Sequence, residues 1–388
     1  MKLTRLNAVG LLAGIAAGFA LAVLLGSQAA HYSKPSNFAR FQQWTNPQSN
    51  FFPPFRMLEH LALSRWRPGQ TVVIVAGNSI FNGLSQPLAQ IWSRRLQEML
   101  GPEKYVVVNL SFNGAIPTDA GALVAESLVR RGIPVVLLVN DATTPPMRAT
   151  TTVYGRYYWE AQAQSALLPY APREADLRQW EAELPPAERE KVAELRRAAG
   201  LNSRLFFQEL WHEVGLRHLF TVWHPLTRWD FWRPRGEWPD PEREPAPVED
   251  RFGKNLEIEM EIVRSQGRAY GVRDTAGRWQ YSAVADLRQQ IEARYPPRLR
   301  PHMLMVLCQN APFYRRRFTP EEQARDLAVW TGCADVWHQA GVACIVNGLD
   351  FEDADYNDRT HLTASGGSKL AARVAAEVRK LHPVSTAP

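Results

Sequence analysis

The stretch from Thr71 to Gly83, TVVIVAGNSIFNG, constrains the fold of this chain more than any other. Residues 72–76 are apolar without a break and mostly β-branched, which is typical of a strand buried on both faces. Such strands belong to parallel α/β sheets, which place their chemistry at the carboxyl edge. Because Gly77, Asn78 and Ser79 follow directly, the pattern predicts a serine hydroxyl at that edge. The alternative is an ordinary turn, since Gly-Asn-Ser is also common loop sequence.

Further strand–helix units follow this stretch. We expect strands at 105–110 and 134–139, and the same pattern resumes at 302–307 and 341–346. Most of these strands end in polar residues or glycine, and helical periodicity comes after them. This alternation predicts an α/β fold with three layers, in which a five-stranded parallel sheet carries helices on both faces.

A long insertion divides the predicted α/β domain into residues 69–144 and 301–388. The inserted segment, 145–300, is predicted to be mainly helical, and it holds a cluster of tryptophans among arginines: Trp211, Trp223, Trp229, Trp232 and Trp238. Either these rings form the core of a small subdomain, or they form a lid, a partner surface or a membrane-interface patch.

The N-terminal segment predicts a membrane anchor within residues 1–30. Residues 8–26 carry no polar side chain, and as a helix they would be about 28 Å long, close to the thickness of a bilayer's hydrocarbon core. Lys2 and Arg5 precede them, which favours a cytoplasmic N-terminus with the remaining chain outside. A cleaved signal peptide is the alternative, with a small-residue site at 27–29. Residues 31–68, which contain five prolines, are predicted to form a stalk.

Charge and cysteine content exclude several classes of function. The net charge of +6 is spread among acidic residues, so it indicates a solvated surface, or one that faces anionic lipid or glycan, and not a nucleic-acid-binding protein. Three cysteines among 388 residues are too few for a disulfide framework, and their spacing indicates no zinc site. We therefore expect no metal and no cofactor.

Four polar signals stand at the ends of predicted strands or just before a helix. The first contains Ser79, the second Gly114, the third Asn140, and the last is an Asp-x-x-His formed by Asp358 and His361. Taken alone, each has an ordinary structural explanation as a turn residue or a helix cap.

In this order, the four signals resemble the SGNH hydrolases, also called the GDSL family. The resemblance covers residues 69–144 and 302–382, and it implies a flavodoxin-like fold with Ser79 as the nucleophile. Asp358 and His361 match the family's Asp-x-x-His, while Gly114 and Asn140 match its glycine and asparagine. The chain departs from the family at Asn78, where an aspartate is usual.

The chemistry of these residue types agrees with the resemblance. A serine hydroxyl needs a base to become a nucleophile, and a histidine fits that role near neutral pH. Asp358 would accept the other ring N–H of His361 and hold its tautomer. The backbone N–H groups of Ser79 and Gly114, with the side-chain amide of Asn140, would form an oxyanion hole.

The predicted function is that of a membrane-anchored, extracytoplasmic serine esterase or O-acyltransferase. The layout of anchor and site is similar to proteins that add or remove acyl groups on cell-surface polysaccharides, including the D-alanyl transfer proteins of teichoic acid modification. An acylated glycan is therefore the expected substrate, and a membrane acyltransferase is a possible partner. Two alternatives stay open: a non-catalytic scaffold for such an acyltransferase, and a lipase-like esterase.

Overall fold

The computed structural model describes residues 5–32, 37–38, 54–112, 120–141, 152–202, 252, 255–282 and 287–381. The five tryptophans of the predicted aromatic cluster, and Gly114, lie outside these ranges.

A five-stranded parallel sheet organises the described chain. Its strands are β1 (Thr71–Val75), β2 (Tyr105–Asn109), β3 (Val135–Asp141), β6 (Met303–Cys308) and β7 (Ala343–Asn347). They lie in the order β2-β1-β3-β6-β7, and all neighbours run parallel. This order is the doubly wound one compatible with a flavodoxin-like fold, so the predicted five-stranded parallel α/β architecture is confirmed.

Helices cover both faces of the sheet. Among the helices of the α/β domain are α2 (Phe55–Arg65), α3 (Ser79–Asn82), α4 (Trp92–Leu100), α5 (Ala120–Arg130), α11 (Pro312–Arg315), α12 (Pro320–Gln339) and α13 (Ala364–Leu381). Side chains of β1 alternate between the two hydrophobic clusters. Val72 and Ile74 belong to the cluster that also contains residues of α2, α5 and α12, whereas Val73 and Val75 belong to the cluster that contains residues of α4 and α13. All four are completely buried, as an uninterrupted β-branched run predicts.

The segment expected to be a stalk contains a helix that packs on the domain. In α2, Phe55 and Leu58 are fully buried in the same cluster as β1 and α5. The Phe55 N–H also donates to the Glu160 carboxylate over 2.7 Å. At least residues 55–65 are therefore part of the folded domain, because their apolar face completes one of its two helical layers.

The described part of the insertion is mostly helical, as expected, but it also contains a small antiparallel hairpin. Its helices are α6 (Thr152–Ala163), α7 (Ala171–Glu183), α8 (Pro186–Asn202), α9 (Leu256–Tyr270) and α10 (Leu287–Arg294). Strands β4 (Gly271–Arg273) and β5 (Trp279–Tyr281) pair with each other, and sequence periodicity over three residues is too short to reveal them.

The N-terminal apolar segment forms helix α1 (Arg5–Tyr32). Large apolar side chains between Val9 and Leu21 are exposed along it. Within the ranges that the structure describes, no helix was found to be both long and apolar enough to cross a membrane.

Candidate active site

Ser79 lies just beyond β1, where a glycine turn joins the strand to α3. Gly77 has φ +129°, and a Cβ placed there would come 2.1 Å from Asn140 Oδ1, so both the backbone and the close approach require glycine. Asn78 then caps α3, because its Oδ1 accepts the Ile80 N–H over 3.0 Å. The turn therefore holds Ser79 at the carboxyl edge of the sheet.

His361 contacts both Ser79 and Asp358. Its Nε2 lies 2.7 Å from Ser79 Oγ, and its Nδ1 lies 2.6 Å from Asp358 Oδ2. Residues separated by 282 positions are thus in hydrogen-bond contact. The arrangement is a serine–histidine–aspartate chain, with the ring between the alcohol and the carboxylate.

Asp358 is held in its ionised form. Its Oδ1 accepts the backbone N–H groups of Thr360 over 2.9 Å and of His361 over 2.8 Å. Burial raises the pKa of this carboxyl, but the hydrogen bond and charge of the His361 ring, together with the two backbone donors, lower it by more. The pKa therefore lies below its usual range, which keeps a negative charge beside the imidazole.

The loop that carries Asp358 and His361 is tied to the beginning of the domain. Asn357 Nδ2 donates to Ser85 Oγ over 3.1 Å, and Gln86 Nε2 donates to the Leu362 carbonyl over 3.3 Å. Both partners come from the segment after α3, so the serine segment and the histidine loop are joined on either side of the triad.

A second set of contacts holds Arg359, which stands between the acid and the base in the sequence. Its carbonyl accepts the Ala311 N–H over 2.9 Å, and its Nη1 donates to Asn310 Oδ1, also over 2.9 Å. Its Nε donates to Glu259 in the insertion helix α9 over 2.6 Å. The insertion therefore contacts the histidine loop directly.

Asn140 lies beneath the serine turn and is fully buried. Its Oδ1 accepts the Asn78 N–H over 3.1 Å, and its Nδ2 donates to Asn78 Oδ1 over 2.9 Å. These two bonds orient the amide against the residue that precedes Ser79. We expected the third strand to end in Asn140 and Asp141, and they are its last two residues. Asn140 is in register with Val306 of β6.

The remaining predicted site residue, Gly114, lies outside the described residues. The described chain stops at Phe112, whose N–H donates to the Gly77 carbonyl over 3.0 Å. Phe112 therefore lies beside the serine turn, two positions before Gly114 in the sequence.

Sequence reasoning missed the residues that support the triad, namely Arg359, Asn310, Glu259 and Gln86. No local pattern marks them, because each acts through a partner at least 49 positions away. In the described part of the chain, no group of three or more His, Cys, Asp or Glu residues is placed to hold a metal ion.

The chain matches no protein-family model and no curated protein.

Proposed function

We propose that this chain is a serine-dependent esterase or O-acyltransferase in which Ser79 is the nucleophile, His361 the general base and Asp358 the residue that orients it. One observation carries the proposal: the His361 ring lies 2.7 Å from the Ser79 hydroxyl through one nitrogen and 2.6 Å from Asp358 through the other. This two-sided contact is the geometry that makes a serine nucleophilic.

In the proposed reaction, Ser79 Oγ attacks the ester carbonyl while its proton passes to His361 Nε2. The Asp358 carboxylate accepts the Nδ1–H and stabilises the imidazolium. The imidazolium then gives its proton to the departing alkoxide, and the acyl group remains on Ser79. Water or an acceptor hydroxyl, deprotonated by His361, attacks the acyl-serine. The bond between the acyl carbon and Ser79 Oγ then breaks, and the imidazolium returns the proton to Ser79 Oγ as the product leaves.

Charge on the tetrahedral oxygen needs donors that are already in position. The oriented amide of Asn140 supports a role as one donor, together with the Ser79 backbone N–H, and Gly114 stays the predicted third. One such donor contributes about 3–4 kcal/mol of transition-state stabilisation in comparable sites.

We propose an acylated cell-surface polysaccharide as the substrate class. The support is the resemblance in layout to SGNH hydrolases that combine such a site with an N-terminal apolar segment. Attachment to a membrane by residues 1–30, a location outside the cytoplasm and a membrane acyltransferase partner belong to the same proposal. Fractionation of cells that express the full chain tests the location, since recovery with washed membranes supports an anchor and recovery in the soluble fraction contradicts it.

Labelling with a fluorophosphonate tests the catalytic proposal. This reagent reacts with an activated serine, so wild-type protein is expected to be labelled and folded Ser79→Ala protein is not. Absence of label on folded wild-type protein would support the alternative of a non-catalytic scaffold.

The preference for acyl chain length separates a glycan esterase from a lipase-like esterase. We expect short acyl esters to react fastest, whereas a rate that increases with chain length would favour the lipase.

A further inference from the structure

Asn78, the residue directly before Ser79, carries an amide whose two ends have different surroundings. Its Oδ1 accepts the Ile80 N–H over 3.0 Å and an Asn140 side-chain N–H over 2.9 Å. Its Nδ2 has no hydrogen-bond partner within the described structure, and it is not one of the buried side-chain atoms that lack a partner. The nitrogen is therefore open to solvent, one residue before the nucleophile.

The orientation of this amide follows from its neighbours. Asn140 Oδ1 accepts the backbone N–H of Asn78 over 3.1 Å, and a backbone N–H only donates, so the other branch of the Asn140 amide is the nitrogen. Both groups that contact the inner branch of the Asn78 side chain are then donors. That branch is the oxygen, which leaves the nitrogen as the outer one. Two hydrogen bonds to the oxygen also keep the amide from rotating.

Of the two amides in this pair, Asn78 is the one that reaches the surface. Asn140 is fully buried, whereas Asn78 and Ser79 are both partly exposed. Consecutive Cα atoms lie about 3.8 Å apart, so the exposed amide and the serine hydroxyl share one short stretch of surface at the carboxyl edge of the sheet. An ester bound at Ser79 can therefore accept a hydrogen bond from Asn78 Nδ2 without breaking a hydrogen bond of the turn.

The turn itself does not explain why the outer branch is a nitrogen. Aspartate caps helices about as well as asparagine does, and its oxygen would accept both N–H groups that contact Oδ1 of Asn78. The residue is also partly exposed, so burial does not exclude a charge at this position. What asparagine provides, and aspartate does not, is an uncharged hydrogen-bond donor next to Ser79.

We propose that Asn78 is a catalytic residue whose Nδ2–H donates to the reacting carbonyl oxygen of the ester. The inference rests on the proposed function and adds a donor to those named there. When Ser79 Oγ bonds to the carbonyl carbon, the π electron pair moves to the oxygen, and the amide stabilises this charge while its proton stays on nitrogen. The pair returns to re-form the carbonyl as the alkoxide leaves. A carboxylate at this position would repel the same charge.

Asn78→Asp in the full chain separates this role from a structural one. The variant keeps an oxygen for both inner contacts, but it replaces the outer donor with a charged acceptor. We expect kcat for p-nitrophenyl acetate to fall by about 10³-fold while KM changes by less than about twofold, because the contact is made in the transition state. An unchanged kcat, or a loss confined to KM, would overturn the proposal. Failure of this variant to fold would also overturn it, because the turn itself would then require the nitrogen.

Asn78→Ser removes the donor without adding a charge, while serine keeps a capping oxygen for α3. We expect kcat to fall by about 10²-fold, a smaller loss than in Asn78→Asp, and full activity would refute the donor role.

Gln339→Glu is the matched control, because it also turns an amide into an acid. Gln339 is exposed at the end of α12, just before β7 begins at the opposite edge of the sheet. This variant is expected to react like wild-type protein. A loss equal to that of Asn78→Asp would assign the effect to net charge and refute the role of Asn78.

A trifluoromethyl ketone inhibitor gives a readout that a structural role would not move. It forms a tetrahedral oxyanion adduct with an active serine, so it resembles the transition state of ester attack. Its inhibition constant should rise in Asn78→Asp by about the factor by which kcat/KM falls. An inhibition constant equal to that of wild-type protein would contradict donation to the oxyanion.

Labelling by fluorophosphonate keeps the two proposals separable. Wild-type protein that takes no label would refute the hydrolase, and this inference with it. Labelled wild-type protein together with a fully active Asn78→Asp variant would refute the role of Asn78 alone.

Discussion

The two loops that form the triad are built in opposite ways. The serine turn is local: Gly77, Asn78 and Ser79 follow one strand directly, and a neighbouring strand supplies Asn140 beneath them. The loop that carries Asp358 and His361 instead depends on distant partners at Ser85, Gln86, Asn310 and Glu259. The difference teaches that the nucleophile's position follows from the sheet, whereas the base's position depends on tertiary contacts, including one from the insertion.

Removal of the base, His361, is expected to have the largest effect on activity, because its ring joins the two loops. His361→Ala should lower kcat/KM for a small ester by at least about 10³-fold, because it removes the ring nitrogen that lies 2.7 Å from Ser79 Oγ and accepts its proton. Steady-state hydrolysis measures this effect, and unaltered circular dichroism shows that the fold is retained. Near-wild-type activity would contradict the assignment of the base.

Neutralising Asp358 tests whether activity requires its carboxylate charge in addition to the backbone conformation of the histidine loop. Asp358→Asn keeps the size of the side chain but presents no carboxylate to the imidazolium, so we expect kcat to fall by about 10²–10⁴-fold. A pH series sharpens the result. The pKa of Asp358 is lowered in the folded protein, so its ionised form persists to pH values below the usual carboxyl range, and loss of activity on acidification through neutral pH cannot arise from this residue.

The serine turn is broken most directly at Gly77. Gly77→Ala places a methyl group against the Asn140 amide, in a backbone conformation that disfavours side chains, and kcat should fall by about 10²–10³-fold through the displaced donor. Gly132→Ala is the matched control, because Gly132 also has positive φ, +73°, but open space around its Cβ position. If both variants lose activity equally, backbone strain alone is responsible and the role of Asn140 is refuted.

The long-range contacts of the histidine loop are tested at Arg359. Arg359→Met removes the bonds to Asn310 and Glu259, and we expect about a tenfold loss of kcat with little change in KM for a small ester. Glu259→Gln should show a smaller loss in the same direction, because it removes the charge but leaves an acceptor. Arg288→Met, which breaks an exposed ion pair with Glu292, is the control without effect. An unchanged kcat in Arg359→Met would separate the insertion from the active site.

The smallest expected effect concerns the free energy of unfolding and its dependence on the ionisation of Asp326 in α12. Because the folded-state pKa of Asp326 is raised to about 6, the folded chain holds this proton more tightly than the unfolded chain, and stability falls as pH rises from about 4 to 6. Asp326→Asn should therefore increase the free energy of unfolding at pH 7, by at most about 3 kcal/mol, and much less at pH 4. Urea denaturation at both pH values measures the difference, and equal gains at both would exclude this cause.

The features that could be predicted from the sequence are mostly those that depend on local contacts, and those that could not depend on contacts between distant segments. The β-branched run before Gly77 predicted β1, the strand that leads into the serine turn. The motifs predicted Ser79, Asp358 and His361, which the structure brings into contact, and Asn140 as a further site residue. The contacts of Arg359 and Gln86 have no local signature, since each depends on how separate segments meet. Helix α2 was missed because the surrounding prolines suggested a stalk, whereas burial of Phe55 and Leu58 against the domain decides its structure.

The most direct test of the account is mass spectrometry of protein quenched during turnover of p-nitrophenyl acetate. The account predicts one acetyl group on the peptide that contains Ser79, and none on that peptide in folded Ser79→Ala protein. Hydrolysis by the wild-type protein with the acetyl group on another residue, or with no acyl-enzyme under conditions that trap one, would contradict it.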